Sequence, residues 1–418
     1  MTGEDYYFQR FGFCERQVLT PPLRDLGLVM VVPCFNEPDL IVSLDSLWQC
    51  ERPGCAVEVI VVVNSPANCS DEIRSQNETT LQQAAAWRKS HSDNRFSLHL
   101  LHFPGLPPKQ AGVGLARKIS MDEAARRFDD IGNPSGLIVS FDADCRCQRN
   151  YLTSIERHFQ RNLRSPGCSI YFEHPLSGEA GSAVDSAIAG YELHLRYYVQ
   201  ALRYAGFPHA HHTIGSCMAV RAGVYKKQGG MNKRQAGEDF YFLQKIIALG
   251  HFTDLTETTV IPSPRCSDRV PFGTGKAVRD YLTDGQSWTY PLEAFLDLKE
   301  FFAHLPEMFR AQGDVAAKSG AALPQAIRSF LTPAVLQNAL NEIRENTATE
   351  AAYQKRFFRW FNAFQVMKFL NHARDQVYGK RSMAEEAQRL LTLKDLTPPG
   401  PASVRQLLDV YRDLDRMN

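Results

Sequence analysis

The sequence has no hydrophobic run long enough to cross a membrane and no excess of charge of one sign. No stretch approaches the length of a membrane-spanning helix, about 20 apolar residues. The chain opens with charged and aromatic residues rather than with a signal peptide. Lys and Arg number 47 and Asp and Glu 46 among 418 residues. Because nucleic-acid-binding proteins usually carry a basic surplus, we expect a cytoplasmic protein that has no nucleic acid among its partners.

The ten cysteines include no Cys-x-x-Cys pair. This argues against the usual zinc knuckles and thioredoxin-like dithiols. A chain of this length does not need disulfides for stability, and without a signal peptide we expect reduced thiols. Cys145 and Cys147 follow the acidic residues of segment 142–144. We interpret both as small buried or loop residues.

Several common catalytic motifs are also missing. The sequence has neither a Walker motif nor a Gly-x-Ser-x-Gly nucleophile elbow. Residues 112–117 (GVGLAR) are similar to a dinucleotide fingerprint, but Arg117 stands at the third glycine position. A long Gly/Pro loop also separates this segment from the preceding strand. Because the Gly-rich turn of a Rossmann site follows its strand immediately, a dehydrogenase is excluded.

His209, His211 and His212 form a short histidine-rich segment. A zinc site needs three or four ligands within tetrahedral reach, and no partner cluster stands out in the sequence. We therefore interpret these histidines as acceptor-cleft or ordinary loop residues rather than as metal ligands.

Four short apolar runs, rich in valine, leucine and isoleucine, predict buried strands. They lie at 27–33, 57–63, 96–103 and 136–141. Helical patterns separate them, which predicts an α/β sandwich with a mostly parallel central sheet. Ligands in such sheets bind beyond the carboxyl ends of the strands. The loops that follow these four runs are therefore the candidate binding loops.

From about residue 295 onward, helical patterns dominate the sequence. We expect an N-terminal arm at 1–26, the α/β domain at 27–290 and a C-terminal helical region at 291–418. An aromatic stripe at 357–370 recurs at helical spacing. Core packing is the favoured interpretation of this stripe. The alternative is a peripheral membrane contact, which would suit a lipid-linked acceptor.

The strand at 136–141 runs directly into Asp142-Ala-Asp144. Two carboxylates one residue apart at the end of a strand can both reach one hard cation, such as Mn²⁺ or Mg²⁺, which also takes phosphate oxygens as ligands. The alternative is a pair of solvated turn aspartates. Their place after a buried strand of an α/β sheet favours the metal site.

Gly237-Glu238-Asp239 opens an amphipathic helix. Acidic residues favour the first turn of a helix because of the helix dipole, and this alone would explain them. A carboxylate at that position can also remove a proton from an attacking hydroxyl. The motif therefore supplies a candidate general base.

The order of these motifs resembles the family 2 glycosyltransferases, which have the GT-A fold. The resemblance begins with VVPCFNEPDLI at 31–41 and continues through a strand ending in Asn64, a basic segment at 109–117 and the acidic pair of 142–144. It ends with IGSCMAVRAGVYKKQGGMN at 214–232 and the Gly-Glu-Asp motif, and it covers about residues 27 to 285.

The resemblance implies a role for each matching residue. Nucleotide-sugar binding would involve Pro33, Asn36, Glu37, Asn64, Lys109, Arg117 and Asp142. Asp142 and Asp144 would hold the metal, Gly215 and Ser216 would lie near the acceptor, and Asp239 would be the general base, with Glu238 beside it. Asn64 stands where the family usually has an aspartate that recognises the nucleotide base, which leaves the identity of that nucleotide base open.

Residues 264–276 would form a loop that closes over the donor. Arg265 and Arg269 lie among prolines and glycines and would bind the donor phosphates. Related enzymes often take a further metal ligand, commonly His, from this region. No His occurs between 252 and 303, so Asp268 would substitute, or the third protein ligand is absent. The alternative is a surface loop with solvated arginines.

The leading hypothesis is a metal-dependent glycosyltransferase that uses a nucleotide-sugar donor and a carbohydrate, lipid-linked or small-molecule acceptor. With Asp239 as base the reaction would be one inverting displacement, although related folds also retain configuration. The second hypothesis is a non-catalytic nucleotide-sugar-binding scaffold. A nucleotidyltransferase would need a glycine-rich basic loop after the first strand, and residues 34–38 are not of that kind.

Overall fold

The computed structural model describes residues 3–91, 93–176, 183–265, 274–310, 323–396, 400 and 402–417. The chain divides into two compact units. The first consists of Met1–Ser177, Thr213–Lys276 and Asp415–Asn418, and the second of Gly178–His212 and Ala277–Leu414. The expected boundaries at 26 and 290 stay predictions. Sequence order alone does not indicate that 178–212 groups with the C-terminal helices.

The first unit is built on a central sheet. Its strands are β1 (Leu26–Cys34), β2 (Ala56–Pro66), β3 (Phe96–Leu106), β4 (Leu137–Ser140), β5 (Arg146–Cys147), β6 (Gly167–Phe172), β7 (Met218–Arg221) and β8 (Thr253–Ile261). Their order in the sheet is β3-β2-β1-β4-β7-β6-β8-β5. The pairs β3-β2, β2-β1, β1-β4 and β6-β8 are parallel. β7 is antiparallel to both of its neighbours, and β5 is antiparallel to β8.

The predicted strands all form, within a few residues of the predicted limits. In β1, Val31 lies beside Ile60 of β2 and beside Ser140 of β4, so the three strands are in register. β1 and β2 are buried along nearly their whole length, as expected for strands covered on both faces. The carboxyl ends of these parallel strands therefore lie at one edge of the sheet.

The helices follow in chain order. They are α1 (Gly3–Phe11), α2 (Leu40–Trp48), α3 (Asp71–Ser90), α4 (Val113–Asp130), α5 (Tyr151–Arg161), α6 (Ala183–Tyr204), α7 (Ala222–Lys227), α8 (Glu238–Ile247), α9 (Thr274–Asp284), α10 (Leu292–Ala303), α11 (Leu305–Arg310), α12 (Gln325–Phe330), α13 (Pro333–Glu345), α14 (Glu350–Trp360), α15 (Ala363–His372), α16 (Met383–Leu393) and α17 (Val404–Met417). α15 continues as a π-helical segment, Ala373–Tyr378.

α4 is buried along almost its whole length in the first unit. Its apolar residues Ala116, Ala124 and Phe128 belong to the same core as Val29 of β1 and Phe242 of α8. Glycines make this close packing possible, because a Cβ on Gly114 would lie 2.1 Å from the carbonyl oxygen of Arg234. The segment before α8 is thereby held against the first turn of α4.

The predicted N-terminal arm contains α1 and then an irregular segment that leads into β1. Tyr7 of α1 donates a hydrogen bond to Asp122 of α4 at 2.7 Å, and Tyr225 donates to the same carboxylate oxygen at 2.6 Å. Lys118 forms an ion pair with Asp122 at 3.0 Å. This buried polar network fixes the arm to α4.

The described residues of the second unit are helical apart from loops and a short antiparallel pair, β9 (Trp288–Thr289) with β10 (Arg381–Ser382). The aromatic stripe forms its core, because Phe357 and Phe361 are buried and their rings lie 5.5 and 5.4 Å from that of Phe301. The core interpretation is therefore confirmed for Phe357, Phe361 and Leu370, whereas Trp360, Phe364 and Met367 are only partly buried. The predicted architecture, a mixed α/β sheet with C-terminal helices, is confirmed as well. Within the described ranges, no helix is both long and apolar enough to cross a bilayer.

Candidate active site

The loop after β1 is held by α3. Asn36 has a left-handed backbone with φ of 47°, and its N–H donates to the side-chain oxygen of Asn77 at 2.8 Å. The Thr80 hydroxyl donates to the carbonyl oxygen of Glu37 at 2.8 Å. These bonds fix the position of the predicted nucleotide-binding residues Asn36 and Glu37.

The acidic loop after β4 is held by α2. The hydroxyl of Ser43 lies 2.8 Å from the carbonyl oxygen of Ala143 and 2.7 Å from that of Cys145. Ser43 is buried, so this contact is shielded from water. The side chains of Asp142 and Asp144 are 37% and 23% exposed. The backbone of the loop is therefore fixed, while both carboxylates remain accessible.

Arg117 connects this loop to α8. Its Nη2 donates to Asp142 Oδ1 at 2.7 Å, and its Nη1 donates to Glu238 Oε1. Burial disfavours the charged guanidinium, but the two carboxylates outweigh this effect and raise the pKa of Arg117 above its usual range. Gly215 leaves the necessary space, because a Cβ there would lie 2.8 Å from both terminal nitrogens.

Glu238 and Asp239 form the first turn of α8. The helix begins after Gly237, whose φ of 71° favours glycine. Asp239 Oδ1 accepts a hydrogen bond from the N–H of Phe240 at 2.7 Å, and the N–H of Gly215 also contacts the carboxylate. Burial raises the pKa of both acids above the usual range. A carboxylate with a raised pKa is a stronger base once it is ionised.

The two acidic motifs thus belong to one cluster. Arg117 binds Asp142 and Glu238 directly, and the charge of Asp142 also raises the pKa of Asp239. Segments that are distant in the sequence converge on one arginine at the carboxyl edge of the sheet. This convergence is what the glycosyltransferase hypothesis requires.

A second arginine lies among the carboxylates of the first two loops. Arg265 pairs with Glu37, with Asp39 at 3.0 Å and with Asp144 at 3.4 Å. The N–H of Asp39 in turn donates to Glu37 Oε1 at 2.8 Å. Carboxylates from the loops after β1 and β4 therefore surround one guanidinium group, that of Arg265.

The remaining predicted nucleotide-binding residues lie at the same edge of the sheet. Pro33 is buried in the last part of β1. Asn64 of β2 is also buried, and its Nδ2 donates to the carbonyl oxygen of Gly112 at 3.2 Å. Lys109 is exposed on the loop between β3 and α4. Arg117 is enclosed by protein rather than exposed, so its predicted contact with the diphosphate stays a prediction.

The two predicted acceptor residues precede β7. Gly215 and Ser216 are both buried, and the hydroxyl of Ser216 lies 3.4 Å from the sulfur of Cys217. The N–H of Gly215 contacts the carboxylate of Asp239, and a Cβ at this position would collide with the guanidinium of Arg117. The predicted residues Asp268 and Arg269 lie outside the described residues.

The donor atoms at 142 and 144 fit a hard divalent cation. In the part of the chain that the structure describes, no group of three or more His, Cys, Asp or Glu side chains is arranged to hold a metal ion. Asp142 and Asp144 are two accessible carboxylates, and Mg²⁺ is commonly bound by one or two carboxylates together with substrate phosphates and water. The protein ligands therefore suit a cation that binds together with a phosphate ligand.

The histidine-rich segment belongs to the second unit, and His209 lies among aromatic rings. The ring of His209 lies 5.5 Å from that of Phe207 and 6.5 Å from that of Phe358. Burial lowers the pKa of His209, which favours the neutral ring. Its role, as an acceptor-cleft or an ordinary loop residue, stays a prediction.

Two residues of the cluster were not identified from the sequence. Asp39 follows Asn36-Glu-Pro38 directly. An acidic residue in this predicted binding loop could have been identified as a candidate site residue. Ser43 gave no signal, because a serine on an amphipathic helix has no distinctive pattern. Its role arises only from the packing of α2 beside the acidic loop.

No protein-family model matches this chain, and neither does any curated protein. The solved structures that resemble it include glycosyltransferases. One is TarS from S. aureus, residues 1–349, in complex with UDP-GlcNAc: it is 14% identical, with 93% of this chain and 90% of that chain covered, at a TM-score of 0.40. Another is the mannosyltransferase PcManGT from Pyrobaculum calidifontis in complex with GDP-Man and Mn²⁺: it is 14% identical, with 98% and 93% covered, at a TM-score of 0.36.

Proposed function

We propose that this protein is a GT-A glycosyltransferase that moves a hexosyl group from a nucleotide diphosphate sugar to an acceptor hydroxyl. The observation that carries the proposal is the double contact of Arg117 with Asp142 and Glu238. This contact brings a candidate cation site and a candidate general base to the same edge of the sheet. A transferase needs both groups within reach of one sugar.

The donor diphosphate would bind at the loops after β1 and β4. Asp142 and Asp144 would hold Mn²⁺ or Mg²⁺, which neutralises charge on the departing diphosphate. Arg265 lies beside Asp144, and together with Lys109 and Arg269 it would contact the phosphates. The carboxylates that pair with Arg265 would keep its guanidinium in place.

The nucleoside would lie along the loop after β1 and the end of β2. Pro33, Asn36 and Glu37 would form one wall of this site, and Asn64 would face the base. The Asn64 amide N–H group is engaged with the carbonyl oxygen of Gly112, so its carbonyl oxygen is the group proposed to accept a hydrogen bond from the base. This arrangement favours a base with an N–H group on the edge that faces Asn64.

Asp239 would remove the proton from the acceptor hydroxyl. The oxygen of that hydroxyl would form the new bond to the anomeric carbon while the bond to the diphosphate breaks, which inverts the configuration. Glu238 would act indirectly by holding Arg117. Gly215 and Ser216 would border the acceptor, a carbohydrate, lipid-linked or small molecule. Positioning of these groups would supply much of the rate enhancement.

Release of nucleoside diphosphate from UDP-, GDP- and dTDP-sugars in the presence of Mn²⁺ tests the proposal. We expect hydrolysis of one donor class by the wild-type protein and a loss of about 100-fold or more in Asp144→Asn, because charge stabilisation by a metal contributes several kcal/mol. Asp130→Asn is the matched control, since Asp130 forms a surface pair with Arg16 at the opposite end of α4. Full turnover by Asp144→Asn would contradict the proposal. Binding of a donor without any turnover would favour the scaffold alternative.

A further inference from the structure

Two cysteines from distant segments meet beside the acidic loop. The sulfur atoms of Cys50, just after α2, and Cys147, in β5, are 3.6 Å apart. Cys50 is 5% exposed, and Cys147 is partly exposed. The two sulfurs are therefore close enough to react.

The backbone around the pair already joins the two segments. The N–H of Cys147 donates to the hydroxyl of Ser46 at 2.8 Å, and the N–H of Glu51 donates to the carbonyl oxygen of Arg149 at 2.7 Å. A disulfide bond has a sulfur–sulfur distance of about 2.05 Å. Small movements of the two side chains would therefore suffice to close the distance between the sulfurs.

The two sulfurs are chemically different. The hydrogen bond between the two sulfurs, the backbone N–H groups of Tyr151 and Leu152 at the start of α5, and the nearby charge of Arg52 lower the pKa of Cys50. Helix N-termini and cations stabilise thiolates in this way. Burial raises the pKa of Cys147. The N–H groups at the start of α5 therefore favour Cys50 as the attacking thiolate, with Cys147 as the resolving thiol.

We infer that Cys50 and Cys147 form a redox modification site, which a hydroperoxide converts to a disulfide and a small dithiol reduces again. This inference does not depend on the proposed transferase activity.

The chemistry takes two steps. The Cys50 thiolate attacks one peroxide oxygen, so that a sulfur–oxygen bond forms, the oxygen–oxygen bond breaks and hydroxide leaves and takes up a proton. The sulfur of Cys147 then attacks the sulfenic sulfur of Cys50, the sulfur–sulfur bond forms, and the oxygen leaves as water with the proton of Cys147. Two thiols are oxidised and one hydrogen peroxide is reduced to two waters.

Treatment of the full chain with equimolar hydrogen peroxide, followed by peptide mapping, tests the site. We expect a Cys50–Cys147 cross-link, an intact mass lower by two hydrogen atoms, and full reversal by dithiothreitol. In Cys147→Ser the Cys50 sulfenic acid should accumulate and react with dimedone. In Cys50→Ser oxidation at Cys147 should be at least about tenfold slower than cross-linking in the wild type, because the thiolate is the reactive form.

Cys55→Ser is the matched control. Cys55 is also partly buried, but burial raises its pKa to about 12, so the cross-link should form at the wild-type rate in this variant. The mapping of the wild-type protein does not depend on how any variant folds. No cross-link in the wild type, or equal oxidation of Cys55 and Cys50, would overturn the inference.

Discussion

Arg117 is a buried charged residue, because only 3% of its side chain is exposed. A buried arginine is tolerated when planar, paired hydrogen bonds satisfy it. Here the fork of the guanidinium divides between Asp142 and Glu238. Removal of the guanidinium would leave the carboxylates of Asp142 and Glu238 without their partner, and Glu238 is fully buried.

Arg117→Met is therefore expected to lower the free energy of unfolding by about 3–5 kcal/mol, the usual cost of an uncompensated buried charge. Arg117→Lys should recover only part of this loss, because a single ammonium group cannot reproduce the fork. Urea denaturation measures both. Arg16→Met is the control: Arg16 forms a partly exposed pair with Asp130, so its loss should cost at most about 1 kcal/mol. Equal midpoints for Arg117→Met and the wild type would contradict this account.

Asp239→Asn should separate activity from stability. Burial raises the pKa of Asp239 in the folded state. The protonated carboxyl group therefore favours the folded state at low pH, and this contribution is lost as the pH rises through the folded-state pKa. The neutral amide avoids the cost of the buried charge. We expect a higher melting temperature than the wild type at about pH 8 and no gain at about pH 4.

The same variant should lose about 10²–10⁴-fold in transfer rate while it still binds the donor, because only the proton acceptor is removed. Asp413→Asn, a change on α17, serves as the matched control. A wild-type rate of transfer by Asp239→Asn would show that another residue is the general base.

The sequence predicts which residues belong near the site better than it predicts what they touch. Asp142 and Asp239 could be named because each follows a recognisable element, a buried strand or the start of a helix. The enclosure of Arg117 could not be foreseen. It depends on Gly215 and Glu238, which approach α4 from distant parts of the chain. The Cys50–Cys147 pair was missed for the same reason.

At the level of elements, continuous apolar runs located β1, β2, β3 and β4. Of these, β1, β2 and β4 are buried on both faces, where apolar residues are favoured. The sequence analysis predicts neither β6 and β8 nor the short strands β5 and β7. β5 has two residues and β7 has four, too few for a periodic pattern to emerge. Their positions are set by pairing with β8, β4 and β6 rather than by their own sequence.

The N-terminal arm provides a test at this scale. Tyr7→Phe removes one of the two tyrosine hydroxyls that donate to Asp122, and the loss should cost about 1–2 kcal/mol of unfolding free energy. Tyr6→Phe, at an exposed position, should change stability by less than about 0.5 kcal/mol. Urea denaturation compares the two. If both changes cost the same, the arm is not held through Asp122.

At the scale of the whole molecule, the described residues proposed to bind the donor, the cation and the acceptor hydroxyl all belong to the first unit. The second unit is a helical body with an aromatic core of its own, to which Phe301 and Phe357 contribute. The sequence correctly predicts the change from alternating strands and helices to a region dominated by helices. It does not predict that α6 belongs with the C-terminal helices, because nothing in a helical pattern indicates which body a helix will pack against.

The central claim is that the acidic edge of the sheet binds a nucleotide diphosphate together with a divalent cation. Isothermal titration of the wild-type protein with UDP and with GDP, in the presence of Mn²⁺ and then of EDTA, tests it most directly. One nucleotide should bind at least about tenfold more tightly with Mn²⁺, and Asp144→Asn should abolish that gain, because Asp144 is a proposed ligand of the cation. Binding of neither nucleotide, or a gain from Mn²⁺ that Asp144→Asn leaves intact, would contradict the account.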